Sequence, residues 1–162
     1  MRSGSLQELA DPRLFFPGLA ATTRDEALLE MAQRLAGAGV ITDPIDLASR
    51  LSKRERDGCT GLGSGIAIPH CRVKDLRQVV LAVGTSPAGI AFGAADGVPV
   101  TVLFLLLSPM DAPGEHLTAL ARLSRMVRTP TLLEELRHAE SAEAIYRVLR
   151  GAEAATSAAA TA

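Results

Sequence analysis

The chain contains no tryptophan, one tyrosine and four phenylalanines. Rings this scarce cannot supply the aromatic and basic interleaving of a nucleic-acid surface, and they leave Leu, Ala, Val and Ile to build the core. Positive charge is not in excess either. Seventeen Lys and Arg stand against 18 Asp and Glu, and no basic run occurs. A nucleic acid held by bulk electrostatics is therefore not an expected partner. Long apolar runs are missing too. The longest, Val98 to Leu107, is about half of what a membrane-spanning helix needs, so no membrane insertion is expected. The N-terminus lacks the charged-then-apolar pattern of a secretory signal. The two cysteines, Cys59 and Cys71, are too few for a disulfide scaffold. A reducing, cytoplasmic setting follows as the default.

What is present is enough for one domain with a real core: 162 residues, nearly half of them hydrophobic. Thr23-Arg-Asp-Glu26 is a capping box that opens a helix through about Ala36, closed by Gly37. Asp43-Pro44 starts a second helix, and Gly58 ends it. Ile66–Pro69 and Val79–Gly84 read as strands, with a glycine-rich turn inside Phe92–Val98. Val98–Leu107 is apolar on both faces, which predicts a central strand buried between layers and broken by Ser108-Pro109. Asp111 is placed to cap a helix from about Ala112 to Arg128. Thr129-Pro130 and Ser141 open two more. Helices and strands alternate, though not strictly, so the expected fold class is α/β: a mixed β-sheet sandwiched by helices. The domain is expected over residues 1–150. The Ala/Thr/Ser-rich tail 151–162 has little to bury and is expected to be disordered.

The most informative segment is Gly61-Leu-Gly-Ser-Gly-Ile-Ala-Ile-Pro-His-Cys71. A glycine turn runs into a short apolar strand, Pro69 stops it, and His70 sits where it ends. Alternate glycines cost conformational entropy and pack nothing, so they point to a close backbone approach. A strand follows them rather than a helix, and no Gly-Lys-Ser/Thr does. The segment is neither a dinucleotide fingerprint nor a P-loop. Alone, His70 reads either as a strand-end histidine satisfied by hydrogen bonds or as a functional imidazole. His116 lies on the predicted Ala112–Arg128 helix in line with Leu120, Leu123 and Val127. It reads as a core histidine, or as a neutral donor kept unprotonated by the helix N-terminus. Arg54, in the last turn of the Asp43–Gly58 helix, reads first as a solvated arginine favoured at a helix C-terminus. His138 reads as surface. Cys59, Cys71, His70 and His116 match no zinc spacing, and residues 70 and 71 point to opposite faces of a strand. The same alternation excludes a Cys71–His70 nucleophile dyad.

Glu55, six residues, then Leu62-Gly63-x-x-Ile66-Ala67-Ile68-Pro69-His70-Cys71 resembles the phosphohistidine signature of fructose/mannitol-type enzyme IIA domains. These belong to the bacterial phosphoenolpyruvate-dependent phosphotransferase system. Arg54-Glu55-x-x-Gly58-Cys59-Thr60-Gly61 resembles the family's approach to that histidine. Leu106-Leu107-Ser-Pro109 with His116-Leu117 resembles the segment carrying its second histidine. The similarity spans roughly Leu6 to Leu149 and is strongest to the stand-alone, nitrogen-regulatory branch. Cys59 replaces that branch's usual Ser, and Cys71 a common Gly.

The resemblance implies a mixed sheet flanked by helices. It also implies that His70 is the phosphoryl acceptor, through its tele nitrogen, with Arg54 and His116 as companions. The donor would be a histidine phosphocarrier protein, and the downstream partner a regulatory target or an enzyme IIB. No cofactor and no metal are implied, because donor and acceptor atoms are both nitrogen. Phosphoryl transfer asks mainly for positioning and charge stabilisation. The second ring nitrogen of His70 should therefore be held by a carbonyl or carboxylate, and exposed apolar surface should surround His70 for docking. Glycine-turn N–H groups are expected to help hold the phosphoryl oxygens. Two other readings stay open: a sugar-specific enzyme IIA, and a non-phosphorylated module binding a small anion at the glycine turn.

Overall fold

A computed structural model describes residues 6–161. One turn, α1 (Leu6–Leu9), leads into β1 (Ala10–Phe16), followed by α2 (Arg24–Gly37) and α3 (Pro44–Asp57). Three short strands come next: β2 (Gly61–Gly63), β3 (Ile66–Ala67) and β4 (His70–Val73). The long strands β5 (Val80–Ile90) and β6 (Val100–Pro109) precede α4 (Pro113–Met126), α5 (Leu132–His138) and α6 (Ala142–Thr161).

The strands form one mixed sheet in the order β1-β5-β6-β3-β2, with β4 also pairing β6. β5 and β6 are antiparallel, while β1 runs parallel to β5 and both β3 and β4 run parallel to β6. Every residue of β6 is buried. Its side chains alternate between two cores, as strand geometry requires. Leu103, Leu105 and Leu107 join the cluster under α2 and α3. Val102, Phe104 and Leu106 join the cluster under α4, α5 and α6. The predicted two-sided central strand and the α/β sandwich are thus what the chain forms.

Several boundaries depart from expectation. The strand is interrupted at Pro69 as expected, β3 ending at Ala67, but pairing resumes directly beyond it. Ile66 pairs with Val102 and His70 with Leu106, so the register along β6 is the same on both sides of Pro69. Proline lacks only the donor; its carbonyl accepts from Leu106 N–H at 2.9 Å. His70 therefore opens β4 rather than closing β3. β6 also runs on through Ser108 and Pro109. The Asp43 cap with Pro44 at the helix start forms as predicted. Thr23 caps α2, but the Glu26 carboxylate reaches Thr22 N–H instead of closing the box on Thr23. Asp111 does not cap α4. Its N-cap is Ala112, without a side-chain hydrogen bond, and Pro113 supplies the helical start.

The Ala-rich tail expected to be disordered continues α6 through Thr161. Alanine is the best helix former, and the first turns of the extension are tied down. Ala152 is buried, Glu153 Oε1 accepts from Leu6 N–H at 2.6 Å, and Thr156 Oγ1 meets Thr129 Oγ1 at 3.4 Å.

Candidate functional site

His70 stands at the start of β4, on the sheet face that Ile66 and Ile68 share with the α4–α6 core. The ring is half-buried, with Nδ1 2.8 Å from the carbonyl oxygen of Ile68. A carbonyl only accepts, so Nδ1 carries the proton and donates. In the neutral ring Nε2 is then the nitrogen with the free lone pair, and no partner is found for it among the described residues. The tether is local, Ile68 lying two residues back.

His116 reaches the same place from the early turns of α4. The two imidazole centroids are 5.5 Å apart, tilted by 48°. Its Nδ1 lies 2.6 Å from the hydroxyl of Ser108 on β6. Burial holds its pKa below the ordinary histidine value, and the neighbouring charges of His70 and Arg72 add to this. His116 is therefore a neutral imidazole near pH 7, as its place on the helix suggested.

Arg54 is placed differently. It sits in the last turn of α3 and its Nη1 donates to the Gly58 carbonyl at 2.9 Å. This binds the arginine to the turn that leaves the helix, and neither imidazole is its hydrogen-bond partner. The structure thus brings His70 and His116 together and leaves Arg54 at the end of α3, bonded to Gly58. His138 is exposed, with Nδ1 on the Glu134 carbonyl. Both cysteines are free, and Cys71 packs toward the α2–α3 core, away from the His70 face.

Behind His70 runs a chain of contacts that motif reading passed over. Glu55, 3% exposed, accepts from Thr60 N–H at 2.8 Å and from the Thr60 hydroxyl. The Thr60 carbonyl accepts from Ile68 N–H at 3.1 Å. The Ile68 carbonyl then holds His70. A buried carboxyl group on α3 thereby sets the position of the imidazole three contacts away. Its signal was present, since Glu55 begins the signature, but a signature does not say what its first residue touches.

The glycine turn is organised for another purpose than expected. Gly63, Ser64 and Gly65 all have positive φ, at 85°, 57° and 89°. A Cβ on Gly63 would lie 2.9 Å from Asp96 Oδ2, and one on Gly61 would lie 2.9 Å from Ala94 Cβ. The close approach predicted from these glycines is therefore to the 92–98 loop. Asp96 accepts from Ser64 N–H at 2.8 Å and Val98 N–H at 3.0 Å, and these bonds hold its carboxyl below its usual range. Gly61 N–H is turned to Cys59 Sγ at 3.3 Å. Two of the turn's N–H groups are thus occupied, and a carboxylate sits on the turn, which corrects the expectation of free donors for an anion.

Large apolar side chains are exposed next to His116 in sequence and elsewhere on the surface. Leu117, beside His116, is 66% exposed, Leu62 on β2 is 56% exposed and Met110 after β6 is 39% exposed. A cavity of about 230 Å³ lies elsewhere, between the α2–α3 connection and the end of β4, and neither His70 nor His116 lines it. No helix among the described residues is long and apolar enough to cross a membrane.

A mixed sheet between helix layers in this strand order is a known class of fold. The nitrogen regulatory protein IIA-Ntr from Neisseria meningitidis superimposes with a TM-score of 0.81 at 29% identity, over 90% of this chain and 99% of that one. Residues 8–152 match the family model for the phosphoenolpyruvate-dependent sugar phosphotransferase system, EIIA 2, and the chain belongs to that family. Among its relatives are nitrogen regulatory proteins. That of Bradyrhizobium diazoefficiens is 36% identical over 146 residues, 89% of this chain and 94% of the relative. That of Pseudomonas aeruginosa is 33% identical over 144 residues, with the same coverage.

Proposed function

We propose that the chain is a phosphoryl carrier of the nitrogen-regulatory kind, accepting a phosphoryl group on His70 Nε2 from a histidine phosphocarrier protein. The observation that carries this reading is the Nδ1–H of His70 held by the Ile68 carbonyl, with Nε2 open beside a neutral second imidazole. The Nε2 lone pair attacks phosphorus in line, and the P–N bond to the donor's imidazole breaks with its electron pair returning to that nitrogen. Positive charge that builds on the His70 ring is met by the Ile68 carbonyl through Nδ1–H. His116 donates to the phosphoryl oxygens, and Arg54 supplies a permanent cation on the approach. Leu62, Met110 and Leu117 offer the apolar surface on which a donor protein docks.

The nitrogen-regulatory assignment rests on what both of the reported sequence relatives are called. In this reading the chain works in the cytoplasm and acts on regulatory target proteins rather than on an enzyme IIB. A passive anion-binding module at the glycine turn is disfavoured, because Asp96 places negative charge there and occupies Ser64 N–H.

The test is phosphorylation by a reconstituted phosphoenolpyruvate relay. Label on the wild-type chain should be lost in acid and kept in base, as a phosphoramidate behaves, and His70→Ala should accept none. Arg54→Ala should remain folded and accept label about ten- to a hundredfold more slowly, the value of a charge-assisted hydrogen bond. Label that persists in His70→Ala, or that maps to Ser or Thr, overturns the assignment.

A further inference from the structure

We propose that Ser108 is a positioning residue for phosphoryl transfer: its buried hydroxyl donates to Nδ1 of His116 and keeps that ring's proton on Nε2, where it can donate to a phosphoryl group on His70. The proposal rests on the function proposed above.

Ser108 is 0% exposed, near the end of a strand whose preceding residues, Val102 to Leu107, are all apolar. A hydroxyl buried in such a place is costly unless it is hydrogen-bonded. Its one partner found among the described residues is His116 Nδ1, at 2.6 Å. Two proton arrangements suit that distance. If Nδ1–H donates to Oγ, the serine O–H hydrogen points into a dry interior with no acceptor. If the O–H donates to Nδ1, every buried hydrogen is used, and only hydroxyl lone pairs go unfilled. An unmade buried donor is the dearer loss, so the second arrangement prevails. The ring proton then belongs to Nε2, on the side of the half-buried ring turned from Ser108.

The sheet register shows why this reaches the reacting group. His70 pairs with Leu106 on parallel β6, and Ser108 lies two residues further along. Side chains two apart share a face, and neighbours in register do too. His70 and Ser108 therefore both present to α4, and His116 sits between them, bonded to one and 5.5 Å from the other by ring centroid. Without the serine, neutral His116 divides between two tautomers, and only one of them donates from Nε2.

Nitrogen NMR of the 15N-labelled wild-type chain, at a pH where His116 is neutral, reads the tautomer directly. The expected result is one Nε2-protonated form. An Nδ1-protonated ring overturns the proposal, and this measurement needs no variant and no phosphorylation. Ser108→Ala, checked for folding by its melting curve, should slow labelling of His70 about two- to tenfold, the worth of one hydrogen bond. In a His116→Ala background the same substitution should have no further effect, because the serine acts through that ring. Equal slowing in both backgrounds, or none in either, overturns the proposal. If wild-type His70 takes no phosphoryl group at all, the proposed function fails separately, and the nitrogen spectrum still decides where the His116 proton lies.

Discussion

Imidazole has two ring nitrogens, and a hydrogen bond to one decides what the other can do. The chain uses this twice within a few ångströms. On His70 a backbone carbonyl takes Nδ1–H and leaves a nucleophilic lone pair on Nε2. On His116 a serine hydroxyl meets Nδ1. The two rings have the same chemistry and opposite neighbours, so they can take opposite roles. The cysteines show the same dependence on environment. Burial pushes the Cys71 thiol up to about 11, against the opposing charge of Arg50, whereas Cys59 is exposed. Since the thiolate is the reactive form, a thiol-specific reagent on the native chain should modify Cys59 quickly and Cys71 only on unfolding. Cys59→Ser should remove the fast phase, and a fast phase surviving in that variant would count against this picture.

At the scale of elements, the short strands β2, β3 and β4 owe their place to contacts with their neighbours more than to their own pairing. The turn between β2 and β3 is tied to Asp96, and the line from Thr60 to His70 hangs from Glu55 at the end of α3. Glu55→Ala leaves the N–H and hydroxyl of buried Thr60 without their acceptor. Unsatisfied buried groups cost about 1–3 kcal/mol each, so the variant should melt several degrees lower. It should also accept the phosphoryl group more slowly, because Thr60, whose carbonyl anchors Ile68 N–H, is no longer fixed. An unchanged melting temperature would show that this carboxyl group does not organise the loop. Much of this level was legible beforehand. The Asp43-Pro44 helix start and the two-sided strand β6 follow from local chemistry. The resumption of pairing at His70 was not legible, because proline removes a donor without removing the register, and only the partner strand reveals the register.

For the whole molecule, the open site and near-neutral charge shape its dealings with partners. In the proposed function the exposed Leu62, Met110 and Leu117 would supply apolar contact area, with charge left to steer the encounter. Phosphorylation adds about two negative charges to that surface. The phosphorylated and free forms should differ in affinity for a regulatory target by about 5- to 150-fold, an ordinary coupling for a switch. Calorimetry with free protein, phosphorylated protein and His70→Ala against one target would measure this. Equal affinity in all three would leave a carrier without a regulatory readout.

The sequence by itself determined the α/β class, most helix starts, the buried central strand and His70 as a candidate, because each depends on residues adjacent in the chain or on a hydrophobic period. His116 was legible as a candidate only through its helix face. Its pairing with His70 needed α4 packed on the sheet, which places residues 46 positions apart in contact. The hydrogen bonds of Glu55, Asp96 and Ser108 were decided by the tertiary structure alone. Each is a common polar residue whose meaning lies in one hydrogen bond, and a hydrogen bond depends on distances of a few ångströms that only the folded chain sets. The tail shows the converse. Composition made it look unstructured, while alanine's helix propensity and the packing of Ala152 carry α6 onward.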